Sequence, residues 1–204
     1  MEVLSNQEVT SDRLRRIGFY LQLLGGAAIA AIIVIGPLAY ISFRKPTYRN
    51  FRVVDEGKLY RTAQLNEAGL ERVILEYGIR TVVSLRYADD GEPSPPDEWE
   101  EQVCQRLGVQ HVRIRPGYHE GDHGEKNARV AYDRFIELMR NPNNHPVLIH
   151  CFRGVHRTGC FCAVYRMNVQ KWSNEEAIQE LIDFGYDKLK EESDVYNFMK
   201  SYRP

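Results

Sequence analysis

Cys151 closes the apolar run Val147-Leu148-Ile149, and a polar loop carries the chain from it to Arg157, Thr158 and Gly159. Phosphoryl transfer can use every part of such a stretch. A thiolate is a strong nucleophile toward a bound phosphate and can hold the phosphoryl group covalently until water releases it. Successive backbone N–H groups in a loop that runs into a helix form an anion cradle, and the helix dipole adds to it. Gly154 lets the backbone approach an oxyanion closely. Arg157 can grip two phosphate oxygens with its planar fork, which a lysine cannot do. The same positive field favours the thiolate of Cys151 over its thiol. Thr158 can hydrogen-bond the sulfur and help it leave, and His150 can brace the loop. Phe152, Arg153, Gly154, Val155, His156 and Arg157 together make the predicted phosphate site.

A Cys and an Arg at this separation also occur by chance, as a buried thiol near an incidental cation. Here an apolar strand precedes the pair, a helix follows it, and His150, Gly154, Thr158 and Gly159 accompany it. A Walker A loop is excluded, because no Gly-Lys-Ser or Gly-Lys-Thr ending is present.

The segment from His150 to Cys160, followed by Trp172-Ser173, resembles the signature of the cysteine-dependent protein tyrosine and dual-specificity phosphatases. Within them it is most similar to the atypical dual-specificity phosphatases of the plant and fungal type. The resemblance runs from about Phe51 to Tyr202, and Val54–Thr62 is similar to the segment that opens these domains. It implies an α/β phosphatase domain with a central sheet flanked by helices and no metal or other cofactor. It also implies Cys151 as nucleophile, Arg157 as phosphate clamp, and an Asp general acid on a preceding loop. Val155 departs from the group, where a lysine commonly stands.

That acid must protonate the leaving oxygen and then serve as base for the attacking water. The Gly-flanked loop Arg115–Gly124 offers Asp122 first and Glu120 second; Asp89 or Asp90, in the earlier loop Arg86–Pro96, comes third. His119 and His123 stand beside these carboxylates, but no spacing there supports a complete metal site. Arg86 is a further candidate for substrate contact.

The elements that must position these groups follow a βαβ rhythm. Phe51–Val54 and Lys58–Arg61 read as short strands around a turn at Asp55–Gly57. Asn66 caps a helix to Tyr77, which Gly78 ends. Thr81–Leu85 is a central strand, Asp97 caps a helix to Leu107, and Gln110–Ile114 is a strand nearer an edge. Glu125–Arg140 is amphipathic, with Val130, Phe135, Ile136 and Met139 predicted inward. The strand after Pro146 reads as buried on both faces, which puts its following loop at the carboxyl end of an open sheet. Helices are expected over Thr158–Gln170, from a Ser173/Glu176 capping box, and over Ser193–Tyr202.

The 204 residues allow one domain and an appendage, and a net charge of −1 gives no reason to expect nucleic acid. Residues 1–16 form a polar tail. Residues 17–43 carry no charge and are long enough to cross a bilayer as one transmembrane helix; a cleaved signal peptide or a buried helix is the alternative. Residues 44–50 form a basic linker, and 51–204 the phosphatase domain. Basic residues flank both sides of the span, with a slight lean to a cytoplasmic carboxyl side, where thiols stay reduced. Cys104 and Cys160 read as structural thiols, with a protective disulfide to Cys151 as the alternative. The predicted activity is hydrolysis of phosphate monoesters on phosphotyrosine, phosphoserine or phosphothreonine proteins through a cysteinyl-phosphate. Inositol phosphates or pyrophosphates and phospholipids are alternative substrates. A silent, membrane-tethered phosphate-binding module and a persulfide sulfurtransferase are rivals from other classes.

Overall fold

The computed structural model describes residues 19–37, 48–86, 97–117 and 124–204. The chain divides into two compact units, Met1–Lys45 and Pro46–Pro204. In the first, helix α1 (Phe19–Pro37) leaves Leu24, Ile32 and Ile33 exposed along with the rest of its surface. Its 19 residues reach about 28 Å at 1.5 Å per residue, close to the thickness of a hydrocarbon core. The predicted tail 1–16, both ends of the predicted span 17–43, and residues 44–47 of the linker lie outside the described residues.

The second unit is built on a mixed five-stranded sheet. Strands β1 (Arg52–Asp55) and β2 (Leu59–Ala63) form an antiparallel hairpin around Gly57, whose φ of 71° suits the turn. Helix α2 (Glu67–Tyr77) leads to β3 (Thr81–Ser84), and α3 (Glu98–Arg106) leads to β4 (Gln110–Arg113). Helix α4 (Gly124–Arg140) precedes β5 (Val147–Cys151), and α5 (His156–Val169), α6 (Asn174–Asp183) and α7 (Ser193–Ser201) follow it. The strand order is β1-β2-β5-β3-β4, and all pairs beyond the hairpin are parallel. Thus β5 lies at the centre and β4 at an edge, as their apolar patterns predict.

Alternation along β5 divides its side chains between two cores. Leu148 joins Tyr60, Leu70, Val73, Val82 and Val103 beneath α2 and α3. Val147, Ile149 and Cys151 join the larger core made with α4, α5, α6 and α7. Consecutive strand residues face opposite sides of a sheet, so His150 and Cys151 are separated by the sheet itself.

Local chemistry explains most element ends. The Asn66 side chain accepts from Gly69 N at 2.8 Å, and Gly78 ends α2 at φ 60°. Ser173 and Glu176 form the expected capping box of α6. Two expectations change. Asp97 stands at the N-cap of α3, but its carboxylate makes no cap bond and turns to Ser84 and Arg113. Val130, predicted inward, is 67% exposed, because Ala128, Ala131, Tyr132, Phe135, Ile136 and Met139 define the buried face of α4.

Candidate active site

In the loop after Cys151, the carbonyls of Phe152, Arg153, Gly154 and Val155 each accept a hydrogen bond. Phe152 O accepts from Gln64 N at 3.3 Å, and Arg153 O from Asn50 Nδ2 at 2.7 Å. Gly154 O accepts from Arg61 Nη2 at 2.8 Å, and Val155 O from Gly159 N at 2.8 Å. In a planar trans peptide the next residue's N–H points opposite to the carbonyl. The amides of Arg153, Gly154, Val155 and His156 are therefore turned away from these donors. One of them marks the direction: Gly154 N donates to Cys151 Sγ at 3.2 Å. Gly154 has φ 68°, and a Cβ there would lie 2.5 Å from Ala63 N, so both its conformation and its space demand glycine.

Arg61 was not singled out by sequence. It is 2% exposed, carries its charge into the loop's underside, and stacks on Phe184 with 5.2 Å from Cζ to the ring centroid. A segment in which every strand residue is buried shows no alternation to mark this one as special.

Of the predicted site residues, Cys151, Gly154 and Thr158 are buried, while Phe152, Arg153, His156 and Arg157 are exposed. Arg157 Nη1 lies 3.5 Å from Leu85 O, at the carboxyl end of β3. The Thr158 hydroxyl is buried with no hydrogen-bond partner among the described residues. Val155 is half-buried against the larger core, and the His156 ring stacks on Tyr186 at 4.3 Å. Phe152 lies between Arg49 and Arg86, at 5.3 Å and 5.2 Å from its ring, and Arg86 also bonds Gln64. A cavity of about 490 Å³ opens beside Arg157 and His156, and Tyr132, Phe161, Tyr186, Glu191, Glu192 and Asp194 also line it. The predicted acids Asp122, Glu120, Asp89 and Asp90, and His119 and His123, lie outside the described residues.

His150, predicted to brace the loop, turns instead to the far face of the sheet. Its Nε2 is 2.9 Å from Glu100 Oε2 in α3, and His111 Nε2 in β4 is 3.8 Å from the same oxygen. Burial pushes the Glu100 carboxyl up, but His150 and His111 outweigh it and hold the group at about 2. Asp97, Glu100 and His111 bring three ligand-type atoms within 4.8 Å of one another. Arg113, 3.0 Å from Asp97, already supplies positive charge there. The other thiols are buried, and burial pushes Cys104 and Cys160 up to about 12 and Cys162 up to about 11.

A model of the tyrosine phosphatase family matches residues 47–203. The chain belongs to that family. Its relatives include the inositol diphosphatase SIW14 of Saccharomyces cerevisiae, 31% identical over 100 residues, or 47% of this chain and 34% of that one. The chain thus spans about a third of that relative's length. The dual specificity protein phosphatase TpbA of Pseudomonas aeruginosa is 28% identical over 178 residues, or 82% of this chain and 73% of that one. Among solved structures, the Siw14 catalytic core aligns with a TM-score of 0.58 at 22% identity, over 76% of this chain and 86% of that one. The crystal structure of P. aeruginosa TpbA aligns with a TM-score of 0.57 at 24% identity, over 78% of this chain and 93% of that one. These two likenesses carry the fold: a central mixed sheet with helices on both faces, as in the Siw14 core and TpbA. The tyrosine phosphatase family, with relatives of the fungal and plant type, accords with the resemblance in His150–Cys160.

Proposed function

We propose that this chain is a cysteine-dependent phosphatase in which Cys151 is the nucleophile and the loop 152–157 holds the phosphate. The observation that carries this reading is the Gly154 amide directed at Cys151 Sγ from a loop whose carbonyls at residues 152–155 are bonded to other groups. Four amides so arranged, with Arg157 beside them, stabilise the charge that grows on the equatorial oxygens. The thiolate attacks phosphorus, the S–P bond forms, and the bond to the leaving oxygen breaks as Asp122 gives that oxygen a proton. Water then attacks phosphorus while Asp122 takes its proton, and the S–P bond breaks to return the thiolate. Thr158, buried beneath the loop, assists the sulfur as it leaves.

The proposed substrate class is phosphorylated protein. Val155 in place of the lysine of the plant and fungal group, and Glu191, Glu192 and Asp194 around the neighbouring cavity, favour a singly phosphorylated group over a densely anionic ring. A second reading, an inositol pyrophosphate, is favoured by the several relatives that are inositol diphosphatases and by Arg49, Arg86 and Arg153 near the loop. The proposed layout is a membrane span over 17–43 joined by a basic linker to the domain 51–204, which faces the cytoplasm. The length and exposure of α1 support the span.

The test is steady-state hydrolysis by the full chain in detergent, comparing a phosphotyrosine peptide, an inositol pyrophosphate and a phosphatidylinositol phosphate. Turnover lost in Cys151→Ser is expected, with the peptide ranked first. Wild-type activity in that variant would sink the nucleophile assignment. Absence of turnover in reduced, folded wild type would favour a silent binding module.

A further inference from the structure

Three successive peptide planes of the phosphate loop each have a different holder. Gln64 N bonds the carbonyl of Phe152, Arg61 bonds that of Gly154, and Asn50 Nδ2 donates to that of Arg153 at 2.7 Å. The Arg153 carbonyl and the Gly154 amide lie in one rigid plane. That amide donates to Cys151 Sγ at 3.2 Å, so a single plane links the Asn50 side chain to the sulfur. Asn50 sits at φ 53°, in the left-handed region that asparagine tolerates better than most side chains. Its neighbours fix it there. Phe51 N bonds Tyr48 O at 3.1 Å, and Arg49 O accepts from Ala63 N at 2.8 Å and from Thr62 Oγ1 at 2.9 Å. The Phe51 ring packs on Tyr77 and Tyr60, with centroids 4.6 Å and 5.9 Å apart. Residues 48–50, the end of the predicted basic linker, are thus tied both to β2 and to the loop after Cys151.

We infer that Asn50 is a positioning residue for the phosphatase reaction: its side-chain amide holds the Arg153–Gly154 peptide so that the Gly154 N–H stays aimed at the site of phosphoryl transfer. The inference rests on the proposed role of Cys151 as nucleophile. The bond to Arg153 is exposed, and water can also satisfy an exposed carbonyl. Water takes a donor's place in many orientations, however, and sets no plane. Gly154 has no side chain to anchor it, and its freedom of φ lets the plane turn unless a neighbour holds it. A held plane matters because donors aimed before the reaction cost no reorganisation when charge grows on the phosphoryl oxygens. Asn50 reaches the sulfur only through the peptide that it holds.

The test uses the full chain in detergent and two variants. Asn50→Gly removes the donor and keeps the left-handed backbone. Asn50→Asp keeps the shape and the backbone preference, but a carboxylate only accepts hydrogen bonds. With folding checked by urea, Asn50→Gly should turn over a small aryl phosphate with kcat about tenfold lower and KM little changed. Vanadate, which takes the five-coordinate geometry of the transferring phosphoryl group, should bind about tenfold more weakly, and inorganic phosphate nearly as in wild type. Asn50→Asp should likewise lose selectivity for vanadate over phosphate, and it carries the test where Asn50→Gly fails to fold. Wild-type kcat and vanadate affinity in a folded variant would overturn the inference, because water would then hold the carbonyl equally well. Equal weakening of vanadate and phosphate would overturn it too, as the mark of a loosened loop. Vanadate binding needs no turnover. Wild type that binds vanadate but hydrolyses nothing would sink the phosphatase reading, while the comparison of variants would still decide the role of Asn50.

Discussion

Arg61 Nη2 lies 2.8 Å from the carbonyl oxygen of Gly154 and 3.4 Å from that of Val155, so one buried guanidinium spans the turn between Cys151 and α5. The Gly154 carbonyl and the Val155 amide share one peptide plane, and holding the first fixes the second. Arg61→Met leaves that carbonyl buried without its donor, which costs about 1–3 kcal/mol. The misdirected amide should also lower kcat/KM for an aryl phosphate by about 10²-fold, the scale of losing one oxyanion donor. Arg61→Lys should not restore it, because an ammonium lacks the planar fork and the stacking on Phe184. Urea unfolding and steady-state kinetics on both variants check this. Full activity in Arg61→Met would mean that the loop holds its shape unaided.

The stability of the fold should carry a signature of Glu100. Its folded value of about 2 lies below the ordinary 4.5, so the carboxylate adds stability above pH 4.5 that is lost as the pH falls toward 2. Wild type should lose urea resistance steeply across that window. Glu100→Gln, with no proton to gain there, should show a shallower decline. Parallel pH–stability curves for the two proteins would refute the ion pair as the source.

How much of this was legible in the sequence depended on whether a residue's role was local. Asn66, Gly78, Ser173 and Glu176 act on backbone groups within a few positions, and their caps were readable from type and spacing. The apolar run before Cys151 gave a central strand because only such a strand is buried on both faces. Arg61, Glu100 and Asp97 escaped because their partners lie across the fold. Arg61 reaches a loop 93 positions away, and Glu100 meets His150 only once α3 packs under β5. Charged residues on a short helix read as solvated, and nothing local distinguishes buried Glu100 from exposed Glu98 and Glu101. Val130 misled in the opposite sense, since an apolar type beside the buried arc of α4 looks like part of it.

Four cysteines should separate into one reactive thiol and three inert ones. Burial pushes Cys104 and Cys160 up to about 12 and Cys162 to about 11, so almost none of each is thiolate at neutral pH. Cys151 accepts a loop amide, that of Gly154, at its sulfur. Brief treatment of the native, reduced protein with iodoacetamide at neutral pH should label Cys151, and peptide mapping should find the other three untouched. In urea all four should react. Labelling of Cys160 in the native state would show that the core beneath α5 opens readily.

The acidic segment beside the phosphate loop should act as a filter on substrate charge. Glu191, Glu192 and Asp194 line the same cavity as His156 and Arg157, and Glu192 is held there by Tyr186 Oη at 2.6 Å. An inositol pyrophosphate bound through one phosphate would bring further anionic groups toward them, whereas a phosphotyrosine peptide need not. In a water-like surround a charge pair about 4 Å apart costs about 1 kcal/mol at low salt, and salt screens such pairs beyond about 8 Å. Replacing Glu191 by Gln and Asp194 by Asn together should therefore raise kcat/KM for the inositol pyrophosphate by about tenfold at low salt, with little change for the peptide. Glu192 is left in place because its bond to Tyr186 also supports the ring that stacks on His156. The gain should shrink as ionic strength rises, since repulsion between partly exposed charges is what the variant removes. Equal gains on both substrates, or a gain insensitive to salt, would mean that the segment gates access to the site instead of reading charge.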